Sequence, residues 1–535
     1  MNWQLFPRRI KKLRFQQKEE KIQRCNLIVI CTSSQSFLFA YLIKLNNILK
    51  EQMKQVRCLS SCLLMLSISI ACSYAANIPS KKGMTVKGIV TDTRKSPISG
   101  VVVTDGVHFT QTDEKGYYYL PSDFNQSKFV YVSVPADYQP TVKNALPTGY
   151  YARLDQSKKT NRHDFELEKR TAPDDNFTFI AISDPQVKNQ KQLDRFRMET
   201  VPDLEATLRT LNEKEVYGMM LGDIVWDAMQ LFAPYKDAIS GLNLTMYHTI
   251  GNHDFDLKYA ALSNSQNPDE WGEYAFGDNF GPTDYSFNVG KVHIISMKDI
   301  DYHGQKKYEE NFTPAQLEWL KKDLSYVQPG SLVLLNVHAP VANRSHKGGG
   351  NARNAAQLFE ILKGYKVHIF SGHTHFYENR IITPDIYEHN IGAACGAWWA
   401  GHVNRCGAPN GYLLVNVQGD DISWQYKATG RSLDYQFRVY KPGEFQSQPE
   451  YLVVNIWDYD PAWTVQYYED GIEKKGVLEA FDDEDQDFIT MKKGKGTGYH
   501  TLHLFRVRPS SDKVKKIEIT ATNRFGQSFR QTVEL

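Results

Sequence analysis

The chain has 535 residues, of which 41% are hydrophobic and 23% charged, with a formal net charge of +2. That is enough material for a packed core and for two to four domains, and it excludes a disordered chain. A charge so near zero over this length offers no basic surplus for a nucleic-acid partner and no acidic solvating tail, so partners must be sought at a site.

Cys25, Cys31, Cys58, Cys62 and Cys72 all fall near the N-terminus, which leaves Cys395 and Cys406 for the folded body. Residues 1–52 are basic and irregular and read as an extension ahead of a true start at Met53. Lys54 and Arg57 then precede an apolar run over residues 59–71 and the small residues Ser73, Ala75 and Ala76, the layout of an export signal spanning 53–76. This run is too short for a spanning helix. An exported chain is therefore expected, whether periplasmic, outer-membrane-associated or secreted. Cys72 is its candidate membrane anchor through lipid attachment, although Ser69 stands where a large aliphatic residue is usual. In that oxidising setting Cys395 and Cys406 have the opportunity to pair.

Short β-rich runs at 86–90, 100–106, 117–120 and 129–134, separated by Gly, Pro and Asp, predict an all-β sandwich over 83–168. An α/β section follows over 172–429, where apolar strand-like runs alternate with helical patterns. Leu193, Phe196, Val201, Leu204, Leu208 and Leu211 recur at helical spacing over 192–211. Thr313 before Pro314 is an N-cap ahead of a second helix, and a third runs from Asn354 to Gly364. Strand signals return at 451–457, 463–468, 501–507, 517–522 and 528–535 and predict a second all-β module over 430–535. The acidic run over 481–487 reads as a solvated loop, since it lacks the Gly of a calcium loop.

Chemistry is concentrated where the central strands end. The runs at 177–182, 217–221, 246–250, 331–337 and 366–370 deliver, in turn, Asp184 and Gln186, Asp223, Asn252 with His253 and Asp254, His338, and His373 with His375. A single Asp or His after a strand is usually a turn or cap residue. Five such endings in succession, with oxygen and imidazole donors and no thiolate, point instead to residues that converge on a divalent ion such as Mn, Fe or Zn.

Two resemblances carry this further. Gly88-Ile89-Val90-Thr91-Asp92, Pro97-Ile98-Ser99-Gly100-Val101 and Thr112-Asp113-Glu114-Lys115-Gly116-Tyr117 resemble a carboxypeptidase-regulatory-like sandwich. Over about 174–428, Asp184-Pro185-Gln186, Gly222-Asp223, Gly251-Asn252-His253-Asp254, His338 and Gly372-His373-Thr374-His375 resemble the calcineurin-like metallophosphoesterase superfamily, in its Asp-Pro-Gln subgroup. That resemblance implies a β-sandwich flanked by helices and two divalent metal ions. Asp184, Gln186, Asp223 and His375 would hold the first ion, and Asp223, bridging, with Asn252, His338 and His373 the second. His253 would protonate the leaving oxygen and Asp254 would orient its imidazole, with Asp227 a further candidate partner. The substrate would be a small phosphoester, a lipid head group or a sugar phosphate, as monoester or diester.

Around the site, the Gly- and aromatic-rich stretch 392–402 is expected to line the cleft or pack beneath it. Arg344, His346, Gly348, Gly349 and Gly350 form a loop able to reach a phosphate. Because every candidate ligand lies between Asp184 and His375, both β modules are expected to be dispensable for the chemistry. The competing reading is an envelope binding or scaffold protein with a degraded metal site; the complete ligand set and His253 favour the enzyme.

Overall fold

The computed structural model describes residues 78–171, 174–211, 215–342 and 351–535. The export signal, Cys72, the extension over 1–52 and the loop of Arg344, His346 and Gly348 to Gly350 lie outside the described residues.

Side-chain alternation decides what each central strand faces. Along Asn176–Ile182, Phe177, Phe179 and Ala181 enter one apolar core while Ile180 and Ile182 enter another. Along Glu215–Leu221, Tyr217 and Met219 divide from Val216 and Met220 in the same way. Burial on both faces is why these strands read as continuous apolar runs. They belong to a five-stranded sheet ordered Thr245–Thr249, Glu215–Leu221, Asn176–Ile182, Gly411–Gln418, Asp421–Ala428, parallel across the first three and antiparallel thereafter.

A six-stranded sheet faces it, ordered Tyr285–Val289, Val292–Ser296, Leu332–Asn336, Lys366–Ser371, Ile386–Asn390, Glu378–Thr383, with the middle four strands parallel. Phe179 and Phe370 meet between the sheets, ring centroids 5.4 Å apart. Helical residues Leu193, Phe196 and Leu204 pack in the core of Ile180 and Ile182, and Leu317, Leu320, Leu358 and Leu362 pack with the second sheet. The parallel strands of both sheets thus end on one side, and the ligand loops come from two facing sheets.

The first helix differs in detail from the periodic expectation. It runs as Gln190–Arg195 and Val201–Thr210, joined through a π turn at Phe196–Thr200. Pro202 has no N–H to give to the preceding turn, which favours local widening there. At the second helix, Pro314–Leu324, Thr313 and Gln316 form a capping box.

The N-terminal strands, from Val86–Asp92 to Phe165–Lys169, form a five-stranded sheet, a four-stranded sheet and a two-stranded hairpin. They are not a detached unit: the Asn288 N–H donates to the Val134 carbonyl at 2.9 Å and the Met246 N–H to the Ala145 carbonyl at 2.7 Å, so the module extends the edges of the central sheets. The C-terminal module, two four-stranded sheets, docks through polar contacts. Asp458 accepts from the Tyr377 hydroxyl at 2.9 Å, and the Cys406 carbonyl accepts from Asn455 at 2.8 Å. All of this lies within one compact unit from Ile78 to Leu535.

Two expectations are corrected here. The acidic run is not a loop: Glu479–Glu484 is a strand, and buried Asp485 caps helix Gln486–Met491 while accepting from Tyr440 and Asn455. Charge density alone concealed the alternation that turns part of the run inward. Cys395 and Cys406 do not pair; both are buried free thiols. Cys395 lies beside His375, whereas Cys406 accepts from the Tyr377 N–H beneath the C-terminal module. Among the described residues, no helix is long and apolar enough to cross a membrane.

Candidate metal centre

The five strand ends meet. Asp223, His338 and His373 place one donor atom each within 4.8 Å of one another. His338 Nε2 is 3.1 Å from Asn252 Oδ1, 3.1 Å from His373 Nδ1 and 3.4 Å from Asp223 Oδ1. On the other side of Asp223, the Gln186 amide contacts both the Asp223 and Asp184 carboxylates, and His375 Nε2 stands 3.5 Å from Asp184 Oδ1. All seven residues proposed from sequence therefore gather around Asp223, and all except His373 are buried.

The backbone there is strained in a way ordinary turns are not. Asp184, Gln186, Asp223, His373 and His375 have φ of 50°, 39°, 49°, 67° and 53°, in the left-handed region that costs a non-glycine residue of order 1–3 kcal/mol each. Such conformations persist only where surrounding contacts over-determine them. One of these is the approach of Gly251, where a Cβ would collide with the Asp223 backbone and carboxylate.

Carbonyl anchors set the tautomers. His338 Nδ1 lies 2.7 Å from the Leu221 carbonyl, and His375 Nδ1 is bonded to the Gly396 carbonyl; since a carbonyl only accepts, both Nδ1 atoms carry the proton. Burial, the largest influence, pushes the His375 pKa below its ordinary value and keeps the ring neutral. Its buried Nε2 then presents a lone pair to the Asp184 carboxylate, and it has no hydrogen-bond partner. A lone pair aimed at an anion is unfavourable unless a cation lies between them.

His338 is shifted the opposite way, by the same surplus of carboxylates. Burial opposes its charge, but Asp223, Asp184 and Asp299 outweigh that and hold its pKa up to about 10. Likewise burial would raise Asp223, yet His338, His253 and His373 pull it far below the usual carboxylate range. These donors fit a divalent cation. Glu310 supports His373 from behind, 3.4 Å from Nε2, and Asp299 accepts the backbone N–H groups of His338 and Ala339 at 3.1 and 2.9 Å.

One assigned role is overturned. Asp254 does not orient His253: its carboxylate accepts the buried N–H groups of Ile224, Val225 and Gly251 at 3.2, 3.1 and 3.0 Å, which ties the Asp223 loop to the Asn252 loop. The carboxylate beside the imidazole is Asp227, 3.0 Å from His253 Nδ1 and itself held by Lys306 at 2.9 Å. Adjacent residues on the tight 3-10 turn Asn252–Asp254 point different ways, whereas Asp227, at φ 53°, folds back over it. Burial works against a charged His253, but Asp223 and Asp227 outweigh it and raise its pKa. Trp226 stacks on the ring, centroids 4.3 Å apart.

Several cleft residues were invisible to motif reading. Trp226, Tyr308, Glu310, Arg405 and Tyr499 line a cavity of about 300 Å³ over the ligands. Trp226 had one signal, its place between Asp223 and Asp227; the others follow no ligand motif. The 392–402 stretch does both things considered for it, since Ala393, Ala394 and Cys395 are core and Trp398 lines the cleft.

Comparison with known proteins gives the fold and site a family. Residues 177–377 match the calcineurin-like phosphoesterase family, residues 84–170 its N-terminal part and residues 388–529 its C-terminal part. The chain belongs to the calcineurin-like phosphoesterases. This calcineurin-like protein is thus a metal-dependent phosphoesterase, with both β modules matched as parts of the family. That includes the sandwich whose sequence resembles a carboxypeptidase-regulatory-like module.

Similar solved structures include a dimetal phosphatase from Danio rerio, at 14% identity and TM-score 0.33, covering 48% of this chain and 97% of that one. A 5'-nucleotidase from Candida albicans aligns at 12% identity and TM-score 0.28, covering 48% of this chain and 51% of that one. No curated protein matches the chain.

Proposed function

We propose that this phosphoesterase hydrolyses a small phosphoester using two divalent ions. Asp184, Gln186, Asp223 and His375 would hold the first, and Asp223, Asn252, His338 and His373 the second. The observation that carries this is the His375 Nε2 lone pair, locked toward the Asp184 carboxylate by the Gly396 carbonyl. When bound, such a pair supplies Lewis acidity that activates a water and neutralises charge on phosphoryl oxygens.

The chain's own residues do the rest. His253, raised in pKa and held by Asp227, protonates the leaving oxygen, and Trp226 fixes the plane of its ring. A cavity of about 300 Å³ suits a small phosphoester, a lipid head group or a sugar phosphate better than a polymer. Gln186 offers a neutral, hard amide oxygen where imidazole is common, which tilts the first site toward Mn, Fe or Mg over Zn and makes the two affinities unequal.

The test is hydrolysis of p-nitrophenyl phosphate and bis(p-nitrophenyl) phosphate after chelation and reconstitution. Chelated protein should be inactive and Mn should restore turnover. Activity that survives full removal of metal, or reconstituted protein inert toward both esters, would overturn the proposal.

We further propose export through the 53–76 signal, which places the reaction in the cell envelope or outside it. The sequence layout supports this, and N-terminal sequencing from the native host should find a mature chain beginning near Ala76; intact residues 1–52 would sink it.

A further inference from the structure

We propose that Arg405 selects a dianionic phosphomonoester, and that the C-terminal module completes the substrate cleft by holding Arg405 through Tyr499. This rests on the phosphoesterase reading and names its substrate class.

A single stack runs outward from a candidate ligand into the C-terminal module. Trp398 lies on His375, centroids 4.7 Å apart and planes 27° apart. The Arg405 guanidinium lies over Trp398 at 4.6 Å and over Tyr499 at 4.3 Å. Cation–π contact with two rings restrains a planar fork that would otherwise sample many rotamers. At the backbone, the Arg405 N–H donates to the His375 carbonyl at 3.0 Å, which fixes Arg405 to the ligand loop. On the far side, Glu484 gathers the successive N–H groups of Thr497, Gly498 and Tyr499, so Tyr499 is presented by a built turn.

Among the described residues lining the cleft, Arg405 is the only Lys or Arg side chain. A phosphomonoester brings three non-bridging oxygens and up to two negative charges; a diester brings two oxygens and one charge. The third oxygen and second charge are what a pre-oriented guanidinium beside the ligand cluster is suited to take, by charge-assisted and bidentate hydrogen bonds. On this reading the C-terminal module, expected from the sequence to be dispensable, takes part in the site.

The experiment compares wild type, Arg405→Ala, Arg405→Lys, Tyr499→Ala and Tyr499→Phe, each reconstituted with Mn and assayed for metal content. For Arg405→Ala, kcat/KM on p-nitrophenyl phosphate should fall roughly 10- to 100-fold. On bis(p-nitrophenyl) phosphate the fall should be only a few-fold, with metal content unchanged. Arg405→Lys should recover part of the loss, Tyr499→Ala should reproduce part of it, and Tyr499→Phe, which keeps the ring, should lose less than Tyr499→Ala. Calorimetric titration with inorganic phosphate should show weaker binding in Arg405→Ala. Equal losses on both esters, a larger loss on the diester, or a loss that follows metal depletion would overturn the inference. Should wild type hydrolyse neither ester, the phosphoesterase reading fails. The phosphate titration still decides Arg405, and equal affinity in wild type and Arg405→Ala would refute its role.

Discussion

Asp223→Ala is expected to empty both metal positions and to abolish turnover, the largest effect of any single substitution in the chain. Asp223 is almost completely buried at the centre of the cluster. One carboxylate oxygen accepts the His253 N–H at 2.8 Å and lies 3.4 Å from His338 Nε2, while the other contacts the Gln186 amide. Asp223 touches ligands of both sets, so its loss removes the anion that two close cations would share. Turnover should fall by at least about 10³-fold, since the chemistry the cations supply is worth several kcal/mol. Elemental analysis should find the variant depleted in both ions while its circular dichroism is unchanged. A variant that keeps both ions would disprove the bridging role. Asp223→Asn, with its shape kept and its charge removed, should resemble Ala more than wild type.

His253→Ala should cost about 10² to 10⁴ in kcat and leave metal content nearly unchanged, because its imidazole faces Asp227 and the cleft and not the ligand cluster. The loss should be greatest for alkyl phosphates and smallest for p-nitrophenyl phosphate, whose leaving group needs no proton. The structure separates the two neighbouring carboxylates. Asp227→Ala should give a weaker form of the same defect, through a misoriented imidazole. Asp254→Ala should act on the fold, because it strands three buried N–H groups at about 1–3 kcal/mol each. A drop in melting temperature for Asp254→Ala, with none for Asp227→Ala, is the expected pattern. If His253→Ala loses its metal or cleaves alkyl phosphates at the wild-type rate, the acid role is wrong.

What the sequence alone determined was the set of residues at the central strand ends. Asp184, Gln186, Asp223, Asn252, His338, His373 and His375 each follow an apolar run whose burial on both faces makes it a parallel strand, and parallel strands deliver their ends to one side. That inference needs only local periodicity and ligand chemistry.

Which partner each side chain meets was decided by the tertiary structure. The exchange of roles between Asp254 and Asp227 turns on left-handed backbone at Asp223 and Asp227, in irregular loops where no periodicity tells which way a side chain points. Arg405 and Tyr499 lie 94 positions apart and outside every ligand motif, so only the docking of the C-terminal module brings them together over Trp398. Asp485 and Cys406 went the same way, because burial against a neighbouring module depends on contacts across the chain. Local spacing carries no trace of those contacts.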